Sequence, residues 1–196
     1  MMKRALHRGL APPGGPLPAR RPGALVERVL ADLHAVRDAD AAGIVTARLP
    51  NGVRVGIGEQ VERQFLMQTA SVTLTTTACG PSAHGRARVR QTGWLRRTGI
   101  AAEPRPGSDR AFVRTVAALV AEPPFADALR PLHLTDCTID ASDGRWTLAV
   151  VPFGGSEVVN RLPSFRRYVR VTDEQAAMLS AAFHRFETVL RGILRE

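Results

Sequence analysis

The residues best suited to chemistry lie between positions 152 and 170, in the run Pro-Phe-Gly-Gly-Ser-Glu-Val-Val-Asn-Arg-Leu-Pro-Ser-Phe-Arg-Arg-Tyr-Val-Arg. Paired glycines, Gly154 and Gly155, let backbone amides turn into a nest that holds an anion. Ser156 follows directly, and Arg161, Arg166 and Arg167 bring guanidinium groups for charge-assisted hydrogen bonds. Glu157 would fix one of those arginines, so that less side-chain freedom is lost on binding. The ligand for such a block is a phosphate or a carboxylate. The plainer expectation is a strand-to-strand connection, with a bulge at Gly154-Gly155 and Glu157 buried against Arg161. A buried Glu157 with no open concavity marks the connection; an open amide nest marks the anion site.

A second constellation is an alternation of arginines. Arg86, Arg88 and Arg90 share one face of a strand, and Arg166, Tyr168 and Arg170 share one face of another. On neighbouring strands they would form an arginine ladder with one stacking ring, a surface for RNA or single-stranded DNA. Sheet platforms of that kind stack bases on two or three aromatics, whereas aromatics are 5% of this chain. The competing expectation is a solvated sheet face, with Ala87, Val89, Phe165, Val169 and Val171 turned to the core.

Other chemistries find little support. Cys79-x4-His84 and His133-x3-Cys137 have zinc-ligand residue types, but the spacing between the pairs is not that of a finger. Cys137 alternates with Thr135, Ile139 and Ala141, as a small core residue does. His34 and His184 flank apolar helix faces as fillers. There is no HExxH, no CxxC, no phosphate loop, no GxSxG and no dinucleotide fingerprint. No metal, cofactor or catalytic residue is assigned. An enzyme would need an active site assembled from distant residues.

These residues must be positioned by a chain of 196 residues, enough for one domain of ordinary size. Hydrophobic residues are 44% and charged residues 23%, a globular composition. The net charge is +9, and 26 of the 27 basic residues are arginine, a ratio typical of a GC-rich bacterial genome. Residues 1–22 carry five basic residues, no acid and five prolines, and read as a flexible basic arm. No apolar run is long enough for a membrane span, and no apolar core follows the basic start as in a secretory signal. The expectation is a cytoplasmic protein with reduced cysteines and no membrane partner.

The body, residues 23–196, reads as one domain. Helices are expected over 24–37, 109–121 and 173–194, each with a single apolar stripe. The last starts on a capping box, Thr172 to Gln175, and Ser108 is placed as the cap of the second. Strands are expected at 44–49, 53–57, 65–77, 86–93, 94–102, 134–141, 145–151 and 165–171. Asn51-Gly52 and Asp143-Gly144 mark tight hairpins, in which both turn residues take positive φ. Hairpin strands with segregated helices predict an α+β fold: one antiparallel sheet of six to eight strands, helices packed on one face, and a long C-terminal core helix. Residues 23–103 and 108–196 echo each other weakly, as an internal duplication would.

The stretch Gly-Gly-Ser-Glu-Val-Val-Asn-Arg-Leu-Pro-Ser-Phe-Arg-Arg-Tyr resembles a block of an uncharacterised proteobacterial family of unknown function. The resemblance implies a bacterial source and a single domain spanning both halves, and it transfers no activity. Sound architecture without a reaction motif points to a non-catalytic binding or accessory protein. Its partner would be a small apolar ligand or another protein. A cavity between the sheet and helix 173–194 would favour the ligand, and a solid core there the protein. Nucleic-acid binding through the arginine faces is the alternative.

Overall fold

A computed structural model of the protein describes residues 21–41, 44–93 and 99–195, with the backbone alone for 39–41 and 161. Most of the basic arm and part of the strand expected at 94–102 lie outside the described residues. The elements run α1 (Ala24–Asp32), β1 (Val36–Ala41), β2 (Ile44–Arg48), β3 (Arg54–Arg63), β4 (Met67–Cys79), β5 (Gly85–Thr92) and β6 (Gly99–Pro104). They continue with α2 (Arg110–Ala121), α3 (Pro123–Leu129), β7 (Leu134–Ser142), β8 (Arg145–Pro152), β9 (Ser156–Arg161), β10 (Ser164–Val169) and α4 (Asp173–Ile193).

Period-two alternation puts every second side chain of the central strands on one side of the sheet. Val55 and Ile57 of β3, Val72 and Leu74 of β4, Leu148 and Val150 of β8, Ile139 of β7 and Ala87 of β5 are all buried. The register aligns them: Ile57 lies opposite Leu74, Leu74 opposite Val150, and Ile139 opposite both Leu148 and Ala87. The strands form one antiparallel sheet in the order β1-β2-β3-β4-β8-β7-β5-β6. β9 pairs with the first residues of β4, and β10 pairs with β9. The fold is α+β with ten described strands, two more than expected. The additions are β1, placed where helix 24–37 was expected to end, and β9, expected as a connection. Strands of the two echoing halves interleave, since β9 joins β4 while β5 joins β7.

The first helix stops at Asp32 because His34 takes the left-handed conformation, φ 51. The Ala35 N–H then bonds the Leu30 carbonyl at 2.9 Å and the His34 N–H bonds that of Ala31 at 3.1 Å, a Schellman closure without the usual glycine. Helix α2 is capped by Asp109, not Ser108. Its carboxylate accepts the Phe112 N–H at 2.6 Å and the His84 N–H at 2.7 Å, which holds its pKa below the usual range. Helix α4 carries the expected capping box. The Asp143-Gly144 turn has positive φ at both residues, but at Asn51-Gly52 only Gly52 does. Asn51 instead bonds the Val53 N–H and donates to the Ser180 carbonyl of α4.

All four helices lie over the apolar face, α1 across β3 and β4, α4 across β4, and α2 with α3 toward β5 and β6. The space between α4 and the sheet is filled. Leu179, Phe183, Phe186 and Leu190 share one buried cluster with Leu74, Trp146 and Leu148, all fully buried. Trp146 also stacks on Phe112 of α2, with centroids 5.3 Å apart.

Candidate functional site: the hairpin of β9 and β10 and its anchor on α1

Gly154 and Gly155 link β8 to β9, and both are buried. Gly155 has φ 79, and its N–H donates to the Val169 carbonyl at 2.7 Å. A Cβ there would meet Val29 of α1 at 3.0 Å, and Val72 and Val171 at 3.3 Å. Glycine is therefore required both by the backbone conformation and by the close passage of the first helix. The Ser156 hydroxyl donates to the Phe153 carbonyl at 2.7 Å. Gly154, Gly155, Ser156 and Glu157 are all buried. Of the amides expected to hold an anion, that of Gly155 is bonded to Val169, and all four residues face the core.

Glu157 lies 5% exposed and pairs with Arg28 at 3.1 Å and Arg166 at 3.3 Å. The side chain of Arg161, its expected partner, lies outside the described residues. The Arg28 guanidinium also sits over the Tyr168 ring, 5.4 Å from its centroid. Tyr168 donates its hydroxyl hydrogen bond to Asp32, the last residue of α1, at 2.7 Å. Asp32 accepts two more bonds, from Arg170 Nε and from the Val171 N–H, both at 3.0 Å. A carboxylate at the C-terminal end of a helix faces the negative end of the dipole, and these three donors offset that cost.

Burial and the bond to Asp32 push the Tyr168 phenol well above its ordinary pKa. Its proton stays in place at neutral pH, and Asp32 has three donors. The cluster therefore holds β9 and β10 against α1. Asp32 and Arg28 were missed in the sequence. The available signal was an acid at the end of the apolar stripe of α1, an unfavourable place unless it is paired.

The arginine ladder does not assemble. β5 lies between β7 and β6, and β10 touches β9. Arg86, Arg88 and Arg90 share the open face as expected, but Arg86 pairs with Asp140, Arg88 with Asp136 at 3.0 Å and Arg90 with Glu103 at 3.0 Å. On β10 the expectation holds only in part. Val171 is buried and Arg170 exposed as expected, but Arg166 pairs with Glu157 and Tyr168 bonds Asp32 of α1, whereas Phe165, expected in the core, is exposed with Arg167 on the other face. The cysteines also separate: Cys79 is exposed at the end of β4, and Cys137 is buried in β7, which pushes its thiol up to about 12. Among the described residues no three His, Cys, Asp or Glu side chains are grouped to hold a metal.

The hairpin ends in an apolar tip. Met67 of β4 lies opposite Asn160 of β9, so the turn at 64–66 and the turn at 162–163 stand side by side. Phe65 is 93% exposed and Leu162 75%, and Leu66, Met67 and Phe165 are exposed around them. A cleft of about 400 Å³ opens beside Phe65, between Arg63, Gln68 and Val159.

These features define a two-layer α+β protein in which a polar strut ties the β9–β10 hairpin to the helix layer. The model of a family described as a protein of unknown function, DUF3156, matches residues 31–190, and the chain belongs to that family. The block that carries the resemblance lies inside this match. No curated protein and no solved structure matches the chain.

Proposed function

We propose that the protein is a non-catalytic accessory protein of the bacterial cytosol that acts through its surface and not through an internal ligand cavity. The carrying observation is the filled interior. Leu179, Phe183, Phe186 and Leu190 close completely against the sheet, so the place expected for an apolar ligand is occupied by side chains. Three clefts among the described residues, of about 490, 340 and 400 Å³, open at the surface, and none of the three is lined by α4. Support also comes from the Asp32–Tyr168 and Glu157–Arg28 contacts, whose buried polar groups favour one fixed placement of the hairpin. Native mass spectrometry of the protein purified from its host tests this. The expected spectrum shows the bare chain or a complex with a macromolecule. A stoichiometric small molecule other than a phospholipid retained on the folded chain would sink the proposal.

A further inference from the structure

We propose that the paired hairpin tips at 64–66 and 162–163 dock the protein on an anionic lipid surface, an inference that rests on the surface-acting reading above. The first observation is the apolar content of the tips. Phe65 and Leu162 are 93% and 75% exposed, with Leu66, Met67 and Phe165 exposed beside them. Apolar side chains so fully in water on adjacent turns mark an interaction site.

The second is placement. The side chains stand on two turns side by side, at one end of paired strands. A bilayer interface accepts a few inserted side chains, whereas a stable protein contact needs a broad complementary patch of about 800 Å² per partner.

The third is charge. Residues 62–68 and 157–168 hold four arginines and two acids, and buried Glu157 is taken up by Arg28 and Arg166, which leaves Arg63 and Arg167 as the exposed guanidiniums beside exposed Glu62. Arg63 stands two residues behind Phe65, and Arg167 two residues behind Phe165 on the same strand face. Both guanidiniums are exposed, and neither makes an ion pair among the described residues. Two strand residues span about 6.6 Å. With the rings at the acyl boundary, the guanidiniums reach lipid phosphates. Attachment would be peripheral, since no described helix is long and apolar enough to cross a membrane.

Sedimentation of the full chain with vesicles tests this, comparing phosphatidylcholine alone with phosphatidylcholine containing about one-third phosphatidylglycerol. Wild type is expected to sediment with the anionic vesicles, less at raised salt, and weakly with the neutral ones. Phe65→Asp with Leu162→Asp is expected to lower that partition about tenfold or more. Arg63→Glu with Arg167→Glu is expected to lower it on anionic vesicles alone. All four side chains are exposed, so an unchanged thermal melt confirms that each variant folds. Wild type remaining in the supernatant, or partition unaffected by the Asp pair, overturns the proposal. So does a dimer in sedimentation velocity that the Asp pair dissociates while no vesicle uptake occurs, because a second copy then covers the tips. A retained small molecule other than a phospholipid in native mass spectrometry defeats the surface-acting reading instead, whatever the vesicles show.

Discussion

The Tyr168 hydroxyl donates to the Asp32 carboxylate at 2.7 Å across 136 positions of sequence. This contact ties the end of the first helix to the last strand, beside the buried Glu157 that Arg28 and Arg166 neutralise. It is a structural use of residues whose types, in sequence, look like a ligand site.

Removing Asp32 should cost more than removing its partner's hydroxyl. Asp32→Ala leaves the buried Val171 N–H and the Tyr168 hydroxyl without an acceptor, while the exposed Arg170 turns to water. The expected loss is about 2–4 kcal/mol. Tyr168→Phe should lose about 1–2 kcal/mol, and the double variant less than the sum of the two. Urea unfolding of the three variants measures this, and additive losses would show that the contact contributes nothing.

The single tyrosine makes its ionisation directly readable. Its folded pKa lies above the ordinary value of 10, so phenolate absorbance should rise later in the native protein than in the urea-unfolded chain. A pKa raised by folding gives stability that is complete below the unfolded value and is lost as pH climbs through the folded one. Stability should therefore fall from about pH 10 upward. Cys137 contributes in the same direction, its thiol lying at about 12. Tyr168→Phe should remove the tyrosine share of that slope and leave the cysteine share.

Glu157→Ala should destabilise the fold by about 1–3 kcal/mol, since Arg28 and Arg166 lose their buried counter-ion. Added phosphate should raise the melting temperature of wild type and of Arg161→Ala equally, because the Gly155 N–H is already bonded to Val169. A phosphate stabilisation that Arg161→Ala abolishes would support the anion site.

Gly155→Ala meets two obstacles at once. The backbone sits at φ 79, and the new methyl would reach Val29 at 3.0 Å. A loss of about 2–4 kcal/mol is expected in chemical denaturation, with the hairpin's register intact. Gly58→Ala, whose Cβ meets nothing within 4 Å, serves as the control and should cost far less.

Local chemistry alone determined much of this fold. The capping box of α4, the Asp143-Gly144 turn and the apolar stripes ending at Leu190 are set by residues within a few positions of one another. So is the alternation that makes Arg86, Arg88 and Arg90 share a face. Where α1 ends was not legible, because histidine fills a left-handed position normally marked by glycine. Tertiary structure decided what covers each face. On β10 both alternating sets contain arginine and an aromatic, so periodicity says that Arg166 goes with Tyr168 but not which set meets a helix. Arg28 and Asp32 decide it. They lie more than a hundred residues away in sequence and supply, once α1 packs across β4, the charge and the acceptor that make burial of Glu157 and Tyr168 favourable. The apolar tips arise the same way: the start of β4 pairs with β9, bringing together two turns that the sequence separates by about a hundred residues.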